Sequence, residues 1–136
     1  MKILFVSALM PYPLYSGGQV RVYNLLSRLG GHHEITLVTF LRDLSEKRYE
    51  KDLPFCKKIM TGYRGHAWQP GYVLRSLAGT KPLLLASYDH AELRGEIAHE
   101  LSSGTYDLVH IEPWYVWPVM PRVAIPVIAA THNIEY

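Results

Sequence analysis

Cysteine is nearly absent. Cys56 is the only one in 136 residues, so no disulfide closes within the chain, and a reducing compartment suits it. Long apolar runs are missing too. The opening run ends at Met10, short of the ~20 residues of a bilayer-spanning helix, and no small-residue cleavage site follows as in a signal peptide. The expectation is a cytoplasmic protein, with peripheral contact to the inner membrane face left open. Charge is sparse: the net value is +2 with no basic stripe, which argues against nucleic acid as a partner. Two glycine fingerprints are absent as well. Without G-x-G-x-x-G, a nicotinamide-dependent oxidoreductase loses support, and without a Walker lysine so does a P-loop nucleotide hydrolase. Ser7 has no G-x-S-x-G context, which disfavours a hydrolase nucleophile.

What is present is the composition of an ordered globular chain, 49% hydrophobic and 19% charged. The length suits one domain, residues 1–136, with a real core. Ile3, Leu4, Phe5 and Val6 read as a buried strand, and a loop with Pro11 and Pro13 leads to Ser16-Gly17-Gly18. Residues 18–29 then switch to helical period, with Val22, Leu25, Leu26 and Leu29 on one stripe, and Gly30-Gly31 offers a C-cap. The β-branched run 34–40 predicts a second strand, completing a βαβ unit with parallel, right-handed pairing. Further along, 44–53 reads as a short exposed helix and 55–60 as an edge strand whose lysines discourage edge pairing.

The middle is weaker. Glycines and prolines break 61–88, with a helical turn expected at 72–77 and helix and strand undecided at 83–85. A helix over 89–101 follows, capped by Ser87 or Asp89, then a fourth strand at 106–111. An aromatic short helix is expected at 113–120, and a fifth strand at 126–131. Strands alternating with helices predict an α/β, Rossmann-like, doubly wound and mainly parallel sheet, with its ligand crevice beyond the carboxyl ends of the strands.

The chemistry-bearing residues gather at those ends. Gly17 and Gly18 permit close backbone approach at a helix start, where unpaired amides and the helix dipole favour anions; equally, they are a tight joint into the helix. His132, with Asn133 and Glu135 after it, could donate to a sugar hydroxyl or phosphate, or simply cap the strand end. His110 and Glu112 alternate and can share a face, but no spacing supplies a third ligand, so no metal is expected. Trp114, Tyr115 and Trp117 are either core filling or a platform for a sugar ring or acyl chain.

The strand MKILFVS, the proline-bearing loop, the SGG pair and the helix RVYNLL resemble the amino-terminal domain of family 4 glycosyltransferases. YDLVHIEPWY and PVIAATHNIEY resemble that domain's fourth-strand and histidine motifs, in the right order. The resemblance implies half of a GT-B fold, two Rossmann-like domains facing across a cleft. In it Gly17 and Gly18 meet the donor's phosphates, Arg21 fits a position often basic, and His132 lies near the transferred sugar as the catalytic candidate. Glu112, Trp114, Asn133 and Glu135 become candidates for the acceptor side of the cleft. The implied partners are a nucleotide-sugar donor and a carbohydrate or lipid-linked acceptor, with no cofactor and no metal. The family's donor domain is not in this sequence, so the resemblance implies an acceptor-side fragment, inactive alone. The rival from the residues themselves is a stand-alone α/β module for a phosphorylated metabolite.

Overall fold

The computed structural model describes residues 1–66, 69–79 and 82–131. In chain order the elements are β1 (Lys2–Ser7), α1 (Gly17–Gly30), β2 (Glu34–Leu41), a 3₁₀ stretch (Leu44–Asp52) and β3 (Lys58–Tyr63). They continue with α2 (Pro70–Ala78), α3 (Leu83–Ala86), α4 (Ala91–Ser103), β4 (Leu108–Glu112), a second 3₁₀ stretch (Trp114–Val119) and β5 (Val127–Ala129). The five strands form one sheet in the order β3-β2-β1-β4-β5, every pair parallel. The fold is α/β, Rossmann-like and doubly wound.

Alternation along the strands sorts the core into two layers. Ile3 and Phe5 of β1 and Ile35 and Leu37 of β2 face α1, which buries Val22 and Leu26 against them. Leu4, Val6, Val38, Phe40, Val109 and Ile111 face the other way and receive Leu93 and Ile97 of α4. Both faces of β1 and β2 are therefore covered, which is why β1 reads as an unbroken apolar run and β2 as a β-branched, mostly apolar one with Thr36 and Thr39 buried. Leu26 has no exposed surface, and its burial contributes about 1.5–3 kcal/mol.

Several boundaries move for physical reasons. β3 starts at Lys58 rather than residue 55, because Phe55 and Cys56 pack under α1, and the strand runs on to Tyr63. It is an edge strand, but its lysines are engaged: Lys57 Nζ lies 2.8 Å from Glu34 and Lys58 Nζ 2.5 Å from Glu100. Burial pushes the Cys56 thiol up to about 12, so it is a packing group rather than a nucleophile. Leu83-Leu84-Leu85 resolves as helix. The cap of α4 is His90, whose ring accepts from the Leu93 N–H, and not Ser87 or Asp89. Gly31 ends α1 in a right-handed conformation, with φ −69°, so no left-handed cap is made. Gly30 is needed for another reason: a Cβ there would sit 2.6 Å from the Phe55 carbonyl.

Candidate functional site

The order of strand addition reverses between β1 and β4: β2 and β3 are laid down on one side of β1, β4 and β5 on the other. Such a switch point opens a crevice at the carboxyl ends of the strands. A cleft of about 260 Å³ lies there, lined by Ser7, Gly18, Gln19, Glu112, Trp114 and Tyr115 among others.

One wall is the start of α1. Ser16 caps it, its side chain accepting from the Gln19 N–H at 3.3 Å, and the first intrahelical bond runs from Val20 N–H to the Ser16 carbonyl. The amides of Gly17 and Gly18 precede that bond and belong to the positive end of a 14-residue helix with no acidic residue in its first turn. Gln19 is buried and fastens this end to the preceding loop, its Nε2 donating to the Met10 carbonyl at 3.1 Å. Gln19 carries no motif in the sequence; only its burial identifies it.

The opposite wall is β4 and the turn after it. His110 and Glu112 share the α1 face, as alternation requires, and His110 stacks on Phe5 with ring centroids 4.6 Å apart. Glu112 has no exposed surface, yet it is ionisable and lies at the base of the cleft. His110 Nε2 lies 2.9 Å from Glu112 Oε2, and Arg21 Nε donates to Glu112 Oε1 at 2.5 Å. Arg21, one turn into α1, has its side chain 60% exposed. A charge-assisted bond thus ties the helix start to the end of β4 across 91 residues of sequence, and it holds the exposed Arg21 against Glu112, which lines the cleft.

Aromatic side chains complete the rim. The Trp114 N–H donates to the Ala130 carbonyl at 3.0 Å, anchoring the aromatic turn to the end of β5. Trp114 and Tyr115 line the cleft, whereas Trp117 points away and is half-exposed. Gly17, Gly18, Arg21, Glu112 and Trp114 therefore stand at one rim. His132, Asn133 and Glu135 lie outside the described residues. No group of three metal-ligating side chains occurs among the described residues, and no helix among them is long and apolar enough to cross a membrane.

No known protein family's profile matches the chain, and no curated protein sequence does. Among solved structures, the C-terminal domain of a hydrogenase from Pyrococcus furiosus is similar to it, at a TM-score of 0.49 and 20% identity over 95% of this chain and 90% of that one. A likeness that distant carries no argument about function.

Proposed function

We propose that the chain is the acceptor-side, amino-terminal domain of a retaining GT-B glycosyltransferase, passing a sugar from a nucleotide-diphosphate sugar to an acceptor. The observation that carries this reading is the environment of Gly17 and Gly18. Neither has a positive φ, and a Cβ on either would meet nothing within 4 Å. The fold alone does not call for glycine there, and each glycine inside a helix costs about 0.5–1 kcal/mol against alanine. What two bare residues do provide is a pair of amides that a bulky anion can approach closely, at the positive end of a helix.

In this reading the amides and Arg21 stabilise charge developing on the departing diphosphate. Glu112 holds Arg21 in place, while Trp114 and Tyr115 offer apolar surface to the acceptor. A role for His132 beside the transferred sugar rests on the resemblance of its motif. The test is kinetic. In the two-domain enzyme that this reading implies, Gly18→Val raises KM for the sugar nucleotide about tenfold, equivalent to about 1.4 kcal/mol, while thermal unfolding stays put. An unchanged donor KM overturns the assignment of this loop. Residues 1–136 alone are expected to transfer no sugar, and detectable transfer by them refutes the acceptor-side assignment.

A further inference from the structure

A second cationic group lies on the same rim, on the other face of the sheet. Arg64 follows β3 directly, and its N–H donates to the Leu41 carbonyl at 2.9 Å, extending the strand pairing by a step. Alternation carries its side chain on from Met60 and Gly62, which meet the α4 layer. There Arg64 is only 6% exposed. Its Nε donates to Ser87 Oγ at 3.2 Å, and its Cζ lies 4.3 Å above the Tyr88 ring. None of the ion pairs between described residues includes it. A neutral hydroxyl and a ring face compensate a buried guanidinium only partly, and the usual solution is a carboxylate.

Charges of both signs surround it: the cavity beside Ser87 is lined also by Asp89, which pairs with Arg94, and by Glu92, and a second cation, Arg42, stands on the neighbouring strand end. Arg42 follows β2, the strand that β3 pairs with, and reaches Glu46 at 3.5 Å while 44% exposed. Burial pushes the Tyr88 phenol up to about 12, with both Arg64 and Arg42 pulling it the other way, so two cations bear on this one ring. Tyr88 also connects Arg64 to the cleft. Tyr88 packs on Tyr115 with centroids 5.4 Å apart, and Tyr115 lines the cleft beside Glu112.

We infer that Arg64 anchors a second anion subsite at the carboxyl ends of β2 and β3, with Arg42 at its mouth, taking a phosphate or carboxylate group of a small-molecule ligand. Nε is occupied by Ser87, which leaves the Nη groups of a fixed planar fork for two anionic oxygens, the arrangement in which arginine recognises such groups. The ligand supplies the counter-charge. That the ligand is the acceptor, and hence an anionic acceptor, rests on the glycosyltransferase reading; the subsite does not.

The experiment titrates the full chain with sodium phosphate and separately with sodium acetate at constant ionic strength, following backbone amides by heteronuclear NMR. Saturable shifts at Arg64, Ser87 and Tyr88 are expected with one of the two. Phosphate selectivity identifies a phosphoryl ligand, acetate selectivity a carboxylate. Arg64→Met should weaken this response about tenfold or more, the loss of a charge-assisted pair, while Arg28→Gln, at an exposed position of α1 on the other face of the sheet, leaves it unchanged. Arg42→Gln, a change at an exposed position, should weaken it about threefold and guards against a folding defect in Arg64→Met. Shifts that grow linearly without saturating, or that survive in Arg64→Met, overturn the inference. A response at Ser87 and Tyr88 without one at Gly17 and Gly18 in a parallel nucleoside diphosphate titration keeps this subsite and removes the donor assignment.

Discussion

Arg21 and Arg64 stand on one rim of one sheet and are handled in opposite ways. At Arg21 the cation is largely in water and its carboxylate partner, Glu112, is fully buried. At Arg64 the side chain is buried against a neutral hydroxyl and a ring face, and it stands in none of the ion pairs between described residues. The first arrangement is closed within the chain: a buried carboxylate is matched by a cation and lies 2.9 Å from a histidine nitrogen. The second is open, with Nε held by Ser87 and the Nη groups engaged by no carboxylate in the ion pairs between described residues. A closed pair is a structural tie that also displays a cation. An open charge costs stability until something binds, and that difference makes the two sites respond in opposite senses to the same kind of change.

The largest effect is expected on the closed side. Arg21→Met removes a cation from a carboxylate that has no exposed surface, and should destabilise the chain by about 2–3 kcal/mol, between the values for exposed and buried pairs. Chemical denaturation at neutral pH measures it. A loss under about 0.5 kcal/mol would mean that water, not Arg21, solvates Glu112, and the contrast with Arg64 would disappear.

A third cluster provides the control, at the amino end of the sheet and away from the cleft. The Tyr106 hydroxyl lies 2.5 Å from Glu100 and 2.8 Å from the Thr36 hydroxyl, and Lys58 closes on the same Glu100. Tyr106→Phe should cost about 1.5 kcal/mol near neutrality, the loss of a hydrogen bond to a charged group. Burial, with the Glu100 hydrogen bond, pushes the Tyr106 phenol up to about 12, above its unfolded value of 10.0. The folded state therefore holds this proton longer, so the wild-type advantage is complete below pH 10.0 and is lost as pH rises through about 12. The Lys58 hydrogen bond, then that of Tyr106, hold the Glu100 carboxyl below its usual 4.5, so its contribution is present above that pH and fades in acid. A gap between wild type and Tyr106→Phe that stays constant from pH 8 to 12 would show the cluster to be open to solvent.

Arg64→Met reverses the sign. Replacing a buried charge with an apolar chain of similar length should raise ligand-free stability by about 1 kcal/mol, after allowing for the lost ring contact and the Ser87 bond. A fall comparable to that of Arg21→Met would instead show Arg64 to be a closed structural tie between β3 and the turn before α4.

The sequence discloses these clusters unequally, and the reason is range. Period-two alternation by itself puts His110 and Glu112 on one face, and apolar or β-branched runs locate β1, β2 and β4, because both signals are local. The Arg21–Glu112 bond spans 91 positions and follows only from the strand order, which no local pattern contains. Arg64 sits between Gly62 and Gly65 in a stretch that reads as broken loop, although extending the Met60, Gly62 alternation by one step would have placed it on the inner face. Capping erred for a similar reason: His90 offers a ring nitrogen where the propensity of Asp89 and Ser87 pointed elsewhere, and Gly31 sits beyond a helix end already shaped by Phe55.

Glu112→Gln carries the smallest expected effect and separates the two halves of the closed pair. Arg21 is already 60% exposed, so losing its partner lets it turn to water at little cost, whereas the glutamine keeps the shape of the buried side chain and removes its charge. The gain from not burying an anion and the weakening of its contacts with Arg21 and His110 then nearly cancel, and the change should be about 0.5 kcal/mol or less. Binding should not be so forgiving. With the 2.5 Å bond at Nε weakened, the guanidinium is held less firmly beside the cleft, so affinity for a nucleoside diphosphate should drop about threefold to tenfold while stability barely moves. Isothermal titration and denaturation on the same preparation test both halves. If stability falls as far as in Arg21→Met while affinity is untouched, Glu112 serves the fold alone, and Arg21 owes its position to α1 rather than to the carboxylate beneath it.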